Sequence, residues 1–228
     1  MKLAIVIPAY NEEKTVGSVI DSLPKAIKGI RKIDVIVVND GSNDDTLEEI
    51  KNYPQVTVLS HLINRGLGAA LGTGFKYAIR HNADIIVSFD ADGQHDPKDI
   101  EKIIKPILNN KSEAVIGSRL MKPKGMPWYR VVGNLGLNLA TLVLFGIWTT
   151  DSQSGLRAFS RNALQKIDIR SDRMEVSSEI VREISRKKIK FTEVPVSVIY
   201  SDYSLAKGQR NINGINIILK MFLKGFGD

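Results

Sequence analysis

Two hydrophobic rhythms alternate along the first 120 residues. The runs LAIVIPAY (3–10), DVIVVND (34–40), VTVLSH (56–61), DIIVSFDAD (84–92) and EAVIGSRL (113–120) are short, rich in Val and Ile, and nearly continuous. Such runs suit strands covered on both faces, as in a parallel sheet. Between them, residues 14–27, 44–53, 67–82 and 97–110 read as helices. In the last, Ile100, Ile103, Ile104 and Ile107 follow an Asp96-Pro97 start, a pattern that opens an amphipathic helix. The alternation predicts an α/β fold: an open, mostly parallel sheet flanked by helices and joined by right-handed crossovers.

After residue 120 the rhythm breaks. A basic, Pro-containing stretch (MKPKGMPWYR, 121–130) leads into residues 131–150, which carry no formal charge. SGLRAFS (154–160), a helical stretch at 177–188 and a strand-like KFTEVPVSVIY (190–200) follow. Then come a loop with Lys207, Gly208 and Arg210 and an apolar tail, INIILKMFLKGF (215–226). With no internal repeat and no low-complexity linker, 1–228 reads as one domain with a C-terminal elaboration.

Composition narrows the choice. At 43% hydrophobic and 25% charged residues the chain can bury a core, which excludes wholesale disorder. It has no cysteine, which excludes disulfide scaffolds, zinc ribbons and thiolate catalysis. The net charge of +7 suits anionic partners without choosing among nucleic acid, lipid and phosphorylated substrates. The five residues between Lys2 and Pro8 are too few for a secretory leader, so none is expected.

In open α/β sheets ligands gather beyond the carboxyl ends of the strands, where this chain places its polar residues. Pro8-Ala9-Tyr10-Asn11-Glu12, Asn39-Asp40-Gly41-Ser42 and Asp90-Ala91-Asp92-Gly93-Gln94 follow the first, second and fourth strand runs. On an extended segment Asp90 and Asp92 point the same way and can share one ion. Oxygen ligands select Mg²⁺ or Mn²⁺, and Gln94 can add a neutral oxygen. The plainer reading is a solvated turn, since Asp and Gly are turn residues; the preceding run IIVSF and two more polar strand ends favour the ion. Asp40 also has two compatible readings, a turn residue or a hydrogen-bond acceptor for a ribose or base, with Asp44 capping the next helix. NRGLGAALGTGF (64–75) departs from the dinucleotide fingerprint, so its glycines serve close helix packing or backbone approach to a phosphate, and Arg65 is a surface residue or a phosphate contact. His61, His81 and His95 show no clear catalytic pattern.

IVIPAYNEE, VVNDGSNDDT, NRGLGAALGTGF, FDADGQHDP, GSR (117–119) and SGLRAF (154–159) stand in the order seen in family 2 glycosyltransferases of the GT-A fold. Within that family the chain resembles the dolichyl-phosphate mannose synthase and polyprenyl-phosphate hexose synthase group over roughly residues 1–200. The resemblance implies a nucleotide-sugar-binding half (1–120) and an acceptor-binding half (121–228). It implies that Pro8, Tyr10, Glu12, Val38 and Asp40 line a base and ribose pocket, with Ala91 near the ribose. Asp90, Asp92 and Gln94 would hold Mg²⁺ or Mn²⁺ on the donor diphosphate. Ser118 and Arg119 would face the acceptor phosphate, assisted by Arg130 and Asn134, and Lys207 and Arg210 would belong to a basic flap over the donor.

The resemblance implies a metal-dependent inverting glycosyltransferase that would move a hexose, mannose or glucose, from a GDP- or UDP-sugar to dolichyl or polyprenyl phosphate. A phosphate acceptor is already anionic and needs no strong base; a sugar hydroxyl would need one, with Glu179 or Asp151 as candidates. The alternatives are a soluble relative acting on a sugar or polysaccharide hydroxyl, and a nucleotide-sugar-binding subunit without turnover. A nucleic-acid partner is not expected, because three acidic strand ends would repel phosphates. Residues 131–148 reach the length of a membrane span, but Asn134, Asn138 and Thr141 form a polar stripe at helical spacing. A helix lying in the headgroup region is expected instead, flanked by Lys122, Lys124, Arg130, Trp128, Tyr129 and Trp148, with the 215–226 tail as a second interfacial element. The protein would then sit in the cytoplasm, peripheral to the cytoplasmic face of the membrane.

Overall fold

The structure, a computed structural model, describes residues 1–123 and 126–199. Lys124, Lys207, Arg210 and the 215–226 tail lie outside the described residues. Strand and helix alternate as β1 (Lys2–Ala9), α1 (Val16–Ser22), β2 (Lys32–Asn39), α2 (Thr46–Lys51), β3 (Thr57–Ser60), α3 (Leu67–Arg80), β4 (Ile85–Ser88), α4 (Asp99–Leu108) and β5 (Ala114–Ser118). Then follow α5 (Trp128–Phe145), β6 (Arg157–Ser160), α6 (Arg161–Lys166), α7 (Val176–Arg186) and β7 (Phe191–Pro195).

The strands form one seven-stranded sheet in the order β3-β2-β1-β4-β6-β5-β7. Pairing is parallel except at β6, which runs antiparallel to both β4 and β5. The near-continuous apolar runs are explained by burial on both faces. Along β1, Leu3, Ile5 and Ile7 pack on one side with Val16, Ile20, Ile50 and the isoleucines of α4. Ala4 and Val6 pack on the other side with Phe75, Phe159 and Ile180. Each fully buried Ile or Leu contributes about 1.5–3 kcal/mol relative to exposure. Helix α3 lies close to β1 and β2 because Gly74 is small: a Cβ there would collide with Val6 and press on Val38.

Two departures from the sequence reading matter for the site. The sheet is not a simple parallel array continued through β5, because β6 inserts between β4 and β5; Arg157, Ala158 and Phe159 are all buried there. In addition, β4 ends at Ser88, so Asp90 and Asp92 stand on the turn beyond it rather than on an extended segment. The turn closes where the Gln94 N–H donates to Asp92 Oδ1 (2.9 Å) and Gly93 takes φ +72°, a self-bonding Asp turn with glycine in the left-handed region.

Helix α5 takes a direction that the sequence pattern did not specify. Its polar stripe faces the protein: Asn138 and Thr141 are fully buried and Asn134 half-buried. Asn138 donates to the Thr150 carbonyl (2.7 Å) and accepts from the Ser152 N–H (2.9 Å), clamping the loop that enters β6. Trp128, Val132, Leu135, Leu139 and Val143 point outward, with Trp128 77% and Val143 71% exposed. Among the described residues, no helix is long and apolar enough to cross a membrane.

Candidate active site

Because β2, β1 and β4 are parallel neighbours, their carboxyl ends open at one edge of the sheet. Antiparallel β6 begins where β4 and β5 end, with Arg157 in register with Ser88 and Ile116. Residues from five distant parts of the sequence therefore converge: 8–12, 39–46, 89–95, 118–119 and 151–157.

The first two loops are knitted together. The Asn11 N–H donates to Ser42 Oγ (3.1 Å), the Asn43 N–H to Asn11 Oδ1 (2.9 Å), and the Glu12 N–H to Thr46 Oγ1 (2.8 Å). Gly41 sits at φ +66°, where a Cβ would collide with the backbone of Ile63 and Asn64, so the loop after β3 can close over it. Asp44 takes the Thr46 N–H (3.1 Å), holding the start of α2 one residue ahead of the formal cap. Tyr10 remains exposed and Pro8 half-buried, both open to a ligand. Glu12, nearly buried, accepts from Thr15 Oγ1 (3.0 Å).

Three residues expected in the nucleotide pocket are placed differently. The side chains of Val38 and Ala91 are buried in the core, leaving only backbone to line a pocket. Asp40 is buried with its carboxylate engaged: it accepts the N–H groups of Arg65 (3.0 Å) and Gly66 (2.7 Å) and pairs with His61 Nδ1 (2.6 Å). His61 Nε2 in turn meets Thr73 Oγ1 (2.9 Å). Asp40 thus shapes the 61–66 loop, a structural use that the sequence left open.

Asp90 and Asp92 do stand near enough for the charge of Asp90 to act on Asp92. Burial and the charge of Asp90, with a further push from Glu12, raise the Asp92 carboxyl to about 6, although the Gln94 N–H and His95 pull it down. Burial also works against ionised Asp90, but a hydrogen bond from His95 and the charges of His95, Arg119 and Arg157 outweigh it and hold Asp90 below its ordinary value. Asp92 is buttressed by Gln94, whose side-chain amide N–H reaches Asp92 Oδ2 at 2.7 Å. The two aspartates therefore form a partly buried anionic pair with incomplete compensation, a setting that suits a divalent cation. Among the described residues, no cluster of three or more His, Asp or Glu is placed to cage an ion. Such a donor set fits Mg²⁺ or Mn²⁺ drawing its other ligands from water and a substrate diphosphate.

On the far side of the edge lies a charged lattice of alternating sign. Arg119 grips fully buried Asp151 in a fork, Nε to Oδ2 (2.7 Å) and Nη2 to Oδ1 (2.8 Å), and its backbone N–H also reaches Oδ2 (3.0 Å). Behind it Arg157 is wholly buried and donates to the carbonyls of Ser152 (2.8 Å) and Ser177 (3.1 Å). Burial lowers its guanidinium to about 10 while Asp151 and Asp90 raise it, so it stays charged at neutral pH. Ser118, expected to face the acceptor phosphate, is fully buried, and Thr150 Oγ1 (2.7 Å) and the Met121 N–H (3.3 Å) both donate to its hydroxyl. Arg130 stands in the first turn of α5, with Asn134 one turn on. Asp151 is taken up by Arg119; Glu179 accepts the N–H groups of Arg170 (3.3 Å) and Ser171 (2.8 Å) and is nearly buried. Neither carboxylate is placed as a free base.

Sequence reasoning passed over His95 and gave Arg157 no role of its own. His95 is buried, edge-on to Phe89, with Nε2 3.0 Å from Asp90 Oδ2. The available signals were its position directly after DADGQ and the single arginine inside SGLRAF.

Comparison with known proteins agrees with this geometry. The family model Glycosyl transferase family 2 matches residues 4–168. An uncharacterized protein of Methanocaldococcus jannaschii is 46% identical, covering 98% of this chain and 92% of its own length. The UDP-N-acetylglucosamine–dolichyl-phosphate N-acetylglucosaminyltransferase of Methanococcus voltae is 40% identical over 98% of this chain and 96% of its own length. Among solved structures, glucosyl-3-phosphoglycerate synthase from Mycobacterium tuberculosis superposes with a TM-score of 0.71 at 22% identity, over 96% of this chain and 79% of that one. That likeness identifies the GT-A fold.

Proposed function

Since the chain belongs to Glycosyl transferase family 2 and is a glycosyltransferase, we propose that it transfers a sugar from a nucleoside diphosphate sugar to a dolichyl or polyprenyl phosphate, with Mg²⁺ or Mn²⁺ at Asp90 and Asp92. The observation that carries this reading is the convergence of the Asp90–Asp92 pair with the Arg119–Asp151 fork at one sheet edge. The Methanococcus relative, named for a UDP-N-acetylglucosamine donor and a dolichyl phosphate acceptor, supports the substrate class.

In this mechanism an oxygen of the acceptor phosphate attacks the anomeric carbon while the bond to the nucleoside diphosphate breaks. A divalent cation held by Asp90 and Asp92 would supply charge neutralisation on the departing diphosphate. Gln94 and His95 hold those two carboxylates in place. Tyr10, Pro8 and the loop shaped by Asp40 receive the nucleotide. Arg119, fixed by Asp151, presents cationic charge to the acceptor phosphate, and Arg130 adds to it. No proton need be removed from a phosphate acceptor, which accords with the engaged state of Asp151 and Glu179 and counts against a sugar-hydroxyl acceptor.

Peripheral docking on a lipid surface completes the reading. The outward stripe of α5 is apolar and flanked by exposed Tyr129, Trp148 and Lys122, the make-up of a helix lying in an anionic interface.

The test is to supply Mn²⁺, labelled UDP-N-acetylglucosamine, UDP-glucose or GDP-mannose, and either polyprenyl phosphate or soluble sugars. Label from one donor should enter the organic phase only with metal and lipid phosphate. Asp92→Ala should lower that rate by about 10²-fold or more. Label that enters soluble sugars alone would overturn the acceptor assignment.

A further inference from the structure

The approach to β6 presses against Asp90. At Gly155 the three heavy atoms nearest to a would-be Cβ are Cγ, Oδ1 and Oδ2 of Asp90, all within overlap distance. Gly155 is not among the residues with positive φ, so its backbone does not itself demand glycine. What the position demands is room. Its backbone is also pinned on both sides: Ser88 Oγ donates to the Gly155 carbonyl (2.7 Å), and the Gly117 N–H donates to the Leu156 carbonyl (2.9 Å). Across from Gly155, buried His95 holds Asp90 Oδ2.

We propose that Gly155 is a positioning residue for the metal site: it leaves free the volume that the Asp90 carboxylate occupies, and a side chain there displaces that carboxylate. The inference rests on the reading of Asp90 and Asp92 as metal ligands. Two parts can yield to an added methyl group. The backbone is held by two strands, whereas Asp90 is a short side chain with about a third of its surface open to solvent. The carboxylate therefore swings out and gives up its bond to His95. The fold loses little by this, but Mg²⁺ and Mn²⁺ sites tolerate little misplacement: constellations of this kind must hold to within about 0.5 Å.

The experiment uses the full chain. Calorimetry measures binding of UDP with and without Mn²⁺, Mn²⁺ spin resonance counts free ion, and thermal melting is recorded without metal. Gly155→Ala should melt within about 4 °C of the wild type. Its Mn²⁺ affinity should fall at least tenfold, with metal-free UDP affinity changed less than twofold. Wild-type Mn²⁺ affinity in Gly155→Ala would overturn the proposal. If Gly155→Ala does not fold, the double variant Gly155→Ala/Asp90→Ala decides: recovery of a cooperative melt supports an overlap between the added methyl group and the Asp90 carboxylate, and no recovery overturns the proposal. Asp90→Ala separates the two layers of argument. Should it bind Mn²⁺ normally, the metal-ligand reading falls; should it lose Mn²⁺ while Gly155→Ala keeps it, only the positioning role falls.

Discussion

Helices α4 and α5 both carry an apolar stripe, yet they use it in opposite ways. In α4, Ile100, Ile103, Ile104 and Ile107 enter the core and the charged residues face water, apart from Asp99. Asp99 is buried and accepts the Ser197 N–H, tying the segment after β7 to the helix start. In α5 the polar residues go inward, and the longer apolar stripe stays outside. One helix is held by hydrophobic burial and stabilises the sheet. The other is held by hydrogen bonds to the loop that carries Asp151, which leaves its apolar surface available to something other than the fold.

Breaking the interior on each side tests that contrast. The largest loss is expected for Asp151→Ala, at about 3–5 kcal/mol, because it removes the fully buried carboxylate that pairs with Arg119 and whose charge offsets buried Arg157. Chemical denaturation would measure it. Ile104→Ala should cost about 2–5 kcal/mol by the same assay, with nucleotide binding kept wherever the variant is folded. Asn138→Ala should cost less, about 1–3 kcal/mol, since it leaves the Thr150 carbonyl and the Ser152 N–H without partners. Smallest is the paired change Leu139→Ser and Val143→Ser, each within about 0.5 kcal/mol of neutral. That variant should nevertheless lose sedimentation with anionic vesicles at low salt. A destabilisation as large as that of Ile104→Ala would mean that the outer face of α5 packs against protein. A monomer–dimer equilibrium abolished by the pair would make a second copy, not lipid, its occupant.

The contrast also marks what could be read from sequence. The strands were legible because their residues are apolar on both faces, and α4 because its isoleucines repeat after Asp96-Pro97. The aspartate pair was legible because Asp90 and Asp92 follow a buried run. The direction of α5 was not, since periodicity defines a stripe without saying which side meets the protein; that depended on Thr150 and Ser152, which bond Asn138. The short helix α6 escaped notice: it has only six residues and is started by Ser160, whose hydroxyl accepts the Ala163 N–H. The placements of Gly155 and Arg157 were hidden for a common reason. Gly155 and Arg157 reach Asp90 and Asp151 only once β6 has been threaded between β4 and β5, a neighbourhood that local pattern does not encode, whereas His95 meets Asp90 within one turn.

That threading governs how the molecule is made. Strands β4 and β5 leave the ribosome side by side in sequence but have no mutual ladder, and each must wait for Arg157–Ser160 before that flank is covered. Until about forty more residues have been synthesised after β5, the nascent chain carries the naked edge of β4 and a wholly unpaired β5, edges of the kind that recruit other chains. Any shortened version ending ahead of Arg157 would keep those edges for good, and its fate would be aggregation rather than a smaller working enzyme.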